Sequence, residues 1–466
     1  GGTLTMLLAC VDDRLAAAVV CSGNTENLAC ADFNPPGSTD DAEQDFLGSG
    51  PLGFDRWDLL YPLAPKPLLV TVSDKDWFGT YSSSYLTSGL EEFQKLKKVY
   101  QVLGRPERLE WASTPLPHAL SYDTRLKVYN WFSRWLKGEA RPIVEEPPTQ
   151  PEPERALWAT DTGNVVKALG GETPFTLNRK RSSSLVAQAV SPAAVEGLLA
   201  VERPAPGTAF AVLGRVPSRG LEIEAVEVAS APNVWAPAWL FLPKSADPAR
   251  PALLILDPAG RLVRWREDEL CQTLAAGGQP ICAADVRGTG DLWPEFGRSH
   301  PRYARSHNDE ENYAWAGLIL GRPLLGQRVT DILALAAALR AHPALKGHGL
   351  ALAALGKMTV PALFAAALDP AISSLYLAGG LVSFRNVVET ENHAHPFANF
   401  VPNLLRHTDL PEVAASLAPL RVVLAGAVDA RNKRMEVDAV RRIYQGARNV
   451  QVADEARWDA ASLSVF

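Results

Sequence analysis

MLLACVDDRLAAAVV at residues 6–20 and LFAAALDPAISSLYL at residues 363–377 carry one pattern twice. Each is a run of small and apolar residues at helical spacing, then a turn with an aspartate, then an apolar strand. Setting Asp12 on Asp369 keeps helix and strand in register. A buried strand that follows a helix through so short a turn belongs to a layered α/β sheet. A repeat of a whole domain is the simplest reading of the two copies.

Around the first copy, residues 3–10 read as a helix and 15–21 as a strand. Residues 24–62 form a polar excursion rich in Gly and Pro. PLLVTV at 67–72 is a short continuous apolar run, the mark of a buried parallel strand. Helix 89–103, strand 108–111 and helix 123–136 follow, the last with Leu126, Tyr129, Phe132 and Leu136 on one face. This piece is too small for a whole domain and reads as the last half of one. RPIVEEPPTQPEPE at 141–154 is rich in Pro and Glu, as extended solvated linkers are.

The second copy has more around it. Residues 221–228 and 237–242 alternate like antiparallel strands. Residues 252–256, 280–284, 349–354, 374–378 and 421–425 look like buried parallel strands. Helices fit at 268–275, 327–341, 358–368 and 433–444, with the start of one more before Phe466. The expected domains are 1–140, a linker at 141–156, and 157–466.

A chain of 466 residues exceeds one typical core. Its net charge of −6 and the lack of any Lys/Arg-rich run argue against nucleic acid or an anionic membrane as partner. No window is apolar enough, for long enough, to span a bilayer. Cys10, Cys21, Cys30, Cys271 and Cys282 are odd in number and widely spaced without CxxC, which favours buried free thiols over zinc or disulfides. Gly1 carries no signal-peptide pattern, so the compartment is not readable.

The chemistry concentrates in the first copy. Gly1-Gly2-Thr3 leads directly into a helix, where glycines would permit a tight strand-to-helix turn. Val72-Ser73-Asp74-Lys75-Asp76 follows the strand PLLVTV. A carboxylate just past that strand end can reach a histidine on a neighbouring loop. Asp76 is the preferred acid because it stands three residues after the small Ser73, and Asp74 is the alternative. Pro117-His118-Ala119 lies before the last helix, and His118 is the only histidine among the first 299 residues. A lone histidine is more often structural. Here the order of turn, acid and histidine is that of enzymes with a nucleophile elbow. His118 would be the general base and Asp76 its orienting partner.

At this point the chain resembles a family. It is similar to the bacterial acetylxylan-esterase-like α/β-hydrolases, in particular large tandem forms with two hydrolase domains. The resemblance rests on GGTLT at Gly1, Asp41-Ala42-Glu43-Gln44-Asp45, GFDRWDLL from Gly53, APKPLL from Ala64 and VSDKDWF from Val72. It continues in Trp131-Phe132 and Trp135-Leu136, LWATDTG from Leu157 and GGETPFTLNR from Gly170. It implies an α/β-hydrolase fold: the C-terminal half of a catalytic domain, then a near-complete second hydrolase-like domain. The family's elbow reads Gly-x-Ser-Gly-Gly-Gly-Thr, which would put the serine one or two residues before Gly1. The implied activity is serine carboxylic-ester hydrolysis on a small acyl ester or acetylated carbohydrate, with no cofactor and no metal. The sequence as it stands is then expected to be inactive. The family's Gly-His-Gly context is Pro117-His118-Ala119 here.

The second copy lacks the parts. Its elbow equivalent is Ala354-Leu355-Gly356-Lys357-Met358-Thr359, and neither Gly356 nor Met358 can attack. Asp429 stands at the acid position, and Ala456-Arg457-Trp458 at the histidine position. This domain is therefore expected to be non-catalytic. The alternative for the whole chain is a non-catalytic binding or structural protein. Asp285 and Arg287 are expected to form a structural ion pair. His393 and His395 are expected to be surface residues, not metal ligands.

Overall fold

The computed structural model describes residues 1–23, 44–75, 88–186, 191–294 and 308–464. The chain divides into two compact units, Gly1–Gly163 with Glu295–Gly321, and Asn164–Pro294 with Arg322–Phe466.

The first unit holds a parallel sheet of β1 (Ala18–Cys21), β2 (Leu68–Ser73) and β3 (Leu109–Thr114), in that spatial order. Every residue of β2 is buried, as its unbroken apolar run requires. Helix α1 (Gly2–Val11) precedes β1, α2 (Ser88–Val102) precedes β3, and α3 (Tyr122–Phe132) follows it. One core joins Met6, Val20, Trp57, Leu60, Val70, Leu96 and Tyr100. A second, smaller one joins Val19, Leu69, Ala112 and Trp131.

The face of α3 differs from the expected one. Thr124 and Trp131 are buried, with Val128, Trp135 and, of the expected face, Phe132 packed beside them. Tyr129 and Leu136 are exposed. The stripe 124–128–131–135 keeps helical spacing and carries the larger aromatic area, so it wins the core. Tyr129 instead turns its hydroxyl to Glu146 (2.8 Å), which also receives Arg125 through both carboxylate oxygens (2.6 and 2.7 Å). Asn130 holds Ile143 by two backbone hydrogen bonds (2.7 and 2.9 Å). The start of the Pro/Glu-rich segment thus lies along α3.

The second unit holds a nine-stranded sheet. Antiparallel β4 (Ala211–Ser218), β5 (Leu221–Ala231) and β6 (Val234–Pro243) form one side. β7 (Ala252–Leu256), β8 (Ile281–Ala284), β9 (Leu350–Leu355), β10 (Ile372–Ala378), β11 (Arg421–Ala425) and β12 (Val450–Ala453) are mutually parallel. The spatial order is β12-β11-β10-β9-β7-β8-β6-β5-β4. Helices α4 (Leu324–Ala341), α5 (Thr359–Leu368), α6 (Val437–Ile443) and α7 (Ala460–Ser464) complete the crossovers that matter below. β8 lies on one side of β7 and β9 on the other, so the winding reverses there, and ligands of such sheets gather at the carboxyl ends beside that reversal. A mixed sheet of this winding, with a tight turn between its central strand and a helix, is α/β-hydrolase-like.

The repeat extends to backbone detail. Asp12 caps α1 at φ −116°, ψ 102°, and Asp369 caps α5 at φ −124°, ψ 97°. Each cap carboxylate accepts the amide two residues on, from Arg14 (3.0 Å) and Ala371 (3.1 Å). The same shift places β1 on β10. Parallel pairing then continues through β2 and β3 as it does through β11 and β12.

Two further expectations are corrected. Asp285 and Arg287 do not pair with each other. Arg287 binds Asp331 of α4 through Nη2 (2.8 Å) and Nε (3.0 Å), while Asp285 is bound by Arg261. The turn after β8 sends the two side chains apart, one to the helix layer and one to the loop after β7. His395 is buried, not on the surface, whereas His393 is exposed. Cys10, Cys21, Cys271 and Cys282 are free thiols, and Cys30 lies outside the described residues.

Candidate functional site at the carboxyl edge

All three described strands of the first unit end on one edge, and the described candidate residues Asp74 and His118 lie on the segments that follow β2 and β3 there. Gly2, the first residue of α1, is buried against the exit of β1. A Cβ on Gly2 would stand 2.4 Å from Gly23 Cα and 2.5 Å from the Cys21 carbonyl. A Cβ on Gly23 would stand 2.8 Å from the Gly2 carbonyl carbon. Two glycines therefore let the helix start touch the strand exit backbone to backbone. Between them, Ser22 takes φ +43°, a strained value for a side-chain-bearing residue, and its amide bonds the Thr71 carbonyl (2.8 Å).

The β2 and β3 exits are tied together beyond the strands. The Asp74 amide donates to the Thr114 carbonyl (2.8 Å) and the Lys75 amide to the Leu116 carbonyl (3.2 Å). These bonds hold the acidic turn beside the loop that carries His118. His118 is exposed and lies four residues before α3, whose Ser121 cap accepts the Thr124 amide. Asp74 Oδ1 is buried and has no hydrogen-bond partner among the described residues. A buried carboxylate oxygen without a donor is costly, and a ring N–H is one group able to relieve it. Asp76, the preferred acid, lies outside the described residues.

The motif strings have a structural role at this edge. Arg56 of GFDRWDLL is fully buried and pairs with Asp45 (2.8 Å), both side chains at 0% exposure. Arg56 Nε also donates to the Gln44 carbonyl (3.0 Å), and Thr3 of α1 donates to the Gln44 side chain. The segment 44–63 is thereby fastened to the start of α1. The N-terminal end of α1, the positive end of its dipole, is also at this edge and favours developing negative charge.

The second unit presents the same edge with other contents. β9 runs into Gly356 at φ +54°, then a 3₁₀ turn Gly356–Met358 and α5. That left-handed position is where a nucleophile elbow carries its attacking residue, and here it carries none. The shift that sets Asp12 on Asp369 also sets Gly2 on Thr359 and Gly23 on Gly380. A Cβ on Gly380 would meet Thr359 Oγ1 at 2.4 Å, so the close approach recurs with one glycine of the pair retained. Sequence reading had missed Gly23 and Gly380, although they stand in register within the repeat.

Asp429 closes its own turn, accepting amides from Arg431 (2.8 Å) and Lys433 (2.9 Å). Ala456 lies four residues before α7, the place His118 takes before α3. Its backbone nitrogen would be 2.3 Å from a Cβ on Gly426. Behind the elbow, buried Arg328 donates to the Arg287 carbonyl (2.9 Å), and Asn399 donates to the Lys357 carbonyl (2.9 Å). Asn399 Nδ2 lies 3.3 Å from His395 Nε2. Burial, and next the neighbouring His393, push the His395 pKa down to about 4, so the ring is neutral and can accept this bond. Among the described residues no group of three or more His, Cys, Asp or Glu side chains is placed to hold a metal ion. No described helix is long and apolar enough to cross a membrane.

No protein-family model and no curated protein sequence matches the chain. Among solved structures, it is similar to a candidate acetyl xylan esterase from Bacteroides fragilis NCTC 9343, with TM-score 0.48 and 16% identity over 61% of this chain and 82% of that one. It is similar also to an acetyl xylan esterase from Paenibacillus sp. R4, with TM-score 0.43 and 16% identity over 63% of this chain and 97% of that one. A glucuronoyl esterase from Solibacter usitatus gives TM-score 0.39 and 12% identity over 61% and 97% of the two chains. Identities this low transfer no residue and no substrate.

Proposed function

We propose that the first unit is the catalytic part of a serine carboxylic-ester hydrolase acting on small acyl esters such as acetylated carbohydrates. The observation that carries the reading is the meeting, at one carboxyl edge, of a glycine-packed helix start, an acidic turn and a histidine loop. In the repeat, Gly356 corresponds to the position two residues before Gly1, which is where the serine is proposed to lie. His118 takes the serine proton during attack on the ester carbonyl and returns it to the leaving alcohol. Asp76, with Asp74 as the alternative, orients the ring and stabilises its charged form. The tetrahedral oxyanion forms beside the N-terminal end of α1. Water activated by His118 then releases the acid. The second unit is proposed to be non-catalytic: Gly356 and Ala456 offer neither nucleophile nor base.

The test is p-nitrophenyl acetate hydrolysis by the polypeptide carrying its natural sequence upstream of Gly1. Turnover that disappears in His118→Ala supports the reading. Turnover retained in that variant removes it, and no turnover in either favours a binding or structural protein.

A further inference from the structure

One helix of the first unit comes from far along the chain. That unit takes Gly1–Gly163 and also Glu295–Gly321, whereas Pro294 and Arg322 on either side belong to the second unit. Within the returning stretch lies the helix Asp309–Ile319, between β8 and β9 in chain order. Asn308 caps it, accepting the Glu311 amide (2.8 Å), and Asp309, Glu310 and Glu311 suit the positive end of its dipole. Glu310, Ala314, Gly317 and Leu318 share one face, Asn312, Ala316 and Ile319 the opposite one, and all seven are buried. A helix laid on a single surface needs one buried face, so this one is packed from two sides.

Two contacts fix what it holds. The Leu318 carbonyl, in its last turn, accepts the Gly48 amide at 2.9 Å. Gly48 opens the short helical turn Ser49–Leu52, and the leading amides of such a turn have no partner within it. Gly321, just past the helix, takes φ +67°, and a Cβ there would stand 2.9 Å from Pro51 Cγ. The turn is thus gripped at Gly48 and at Pro51. Segment 44–63 is itself fastened to the start of α1 by Thr3 and Gln44, and braced internally by Arg56 and Asp45. A continuous line of contacts therefore runs from Leu318 through Gly48 and Gln44 to Thr3, at the carboxyl edge.

We infer that the helix Asp309–Ile319 is a positioning element of the first unit's candidate site. It clamps the turn at Gly48–Pro51 and through Gln44 keeps the start of α1 in place. Hydrolysis by the first copy then needs residues that the chain supplies from between β8 and β9. Without the helix the acid and the base remain, but the end of α1 beside which the oxyanion forms is loosened. The consequence for hydrolysis rests on the proposed reading of the first unit, whereas the clamp itself is read by hydrogen exchange.

The experiment follows amide exchange and p-nitrophenyl acetate kinetics together, in the whole polypeptide with its natural upstream sequence. Gly321→Val drives a branched side chain against Pro51. Exchange in the peptide 44–54 is expected to quicken about tenfold or more, with the peptides of β9 to β11 within about twofold. The kcat is expected to fall about tenfold or more, with KM within about threefold. Adding Pro51→Gly opens the space and should restore both to within about threefold, which a merely weakened fold would not do. Gly347→Val carries a comparable left-handed strain (φ +92°) with nothing within 4 Å, and should leave the peptide 44–54 and kcat unchanged. Replacing Asn308–Gly321 by a Gly/Ser stretch of equal length should act in the same direction and further. Unchanged exchange of the peptide 44–54 in that replacement overturns the clamp. Faster exchange there with kcat unchanged overturns its role in the site. No turnover in the unaltered polypeptide removes the functional reading, and exchange still decides the clamp.

Discussion

The two carboxyl edges share a frame and differ in their contents. Both have a helix start pressed against a strand exit, with glycine where a Cβ would strike neighbouring atoms: Gly2 and Gly23 in one unit, Gly380 in the other. Both helices end on a matching aspartate cap, Asp12 and Asp369. The first edge carries a buried carboxylate oxygen without a partner among the described residues, and an exposed histidine at its loop. At the second edge the aspartate is consumed by its own turn and the histidine position is Ala456. Sheet and turn geometry thus persist where the side chains at the edge differ, because packing holds the frame and leaves those side chains free to vary.

Hydrolysis should break that symmetry most sharply. With the upstream sequence present, His118→Ala should lower kcat/KM for p-nitrophenyl acetate by about a thousandfold or more. Asp429→Ala should leave it within about twofold, since that carboxylate only closes a turn. Steady-state rates for the two variants decide between a single catalytic edge and none.

Next in size are the buried Arg–Asp pairs that each unit uses to pin its loops. Arg56→Ala removes the guanidinium that pairs with Asp45, and Arg287→Ala the one that pairs with Asp331, both carboxylates at 0% exposure. Each should cost about 3–5 kcal/mol in urea unfolding. A cost under about 1 kcal/mol at Arg56 would mean that segment 44–63 is not held as described.

His395 gives the second unit a pH dependence of its own. Its folded pKa of about 4 is below the ordinary 6.5, so the native ring is neutral while the unfolded ring takes a proton first. The stabilisation is complete above pH 6.5 and is lost as pH falls from there to about 4, by up to roughly 3 kcal/mol. His395→Gln should flatten the slope of stability against pH in that window. An unchanged slope would assign it elsewhere.

The smallest effects compare the glycines. Gly2→Ala drives a Cβ to 2.4 Å from backbone and should cost about 2–3 kcal/mol. Gly356→Ala has open space, its nearest neighbour being Pro258 Cγ at 3.9 Å, and should cost only the left-handed strain of about 1–2 kcal/mol. A cost at Gly2 no larger than that at Gly356, measured by thermal or urea unfolding, would mean that the α1 start is not pressed against the β1 exit as described.

Much of the layer order was legible from local pattern. PLLVTV announces a buried parallel strand, and the Asp12 and Asp369 turns announce the repeat. Strands such as β4 and β12 were not legible. Every residue of β4 but the last is exposed, so no buried face marks it, and β12 alternates over only four residues, too few to read as a strand. The helix Asp309–Ile319 is also poorly amphipathic, with Glu310 and Asn312 among its buried residues. The side-chain partners of Asp285 and Arg287 depend on where α4 and the loop after β7 come to lie, which neighbours in sequence do not report. At the edge, the strand exit before Asp74 and the loop before α3 were readable, whereas the contact of Gly2 with Gly23 needed the tertiary path of β1.

The most direct measurement is covalent labelling with a fluorophosphonate, which bonds to an activated serine oxygen, followed by peptide mapping of the polypeptide that includes its natural upstream sequence. The account predicts one label in the tryptic peptide ending at Arg14, absent in His118→Ala, and none in peptides of the second unit. A label in the second unit, or undiminished labelling in His118→Ala, would contradict it.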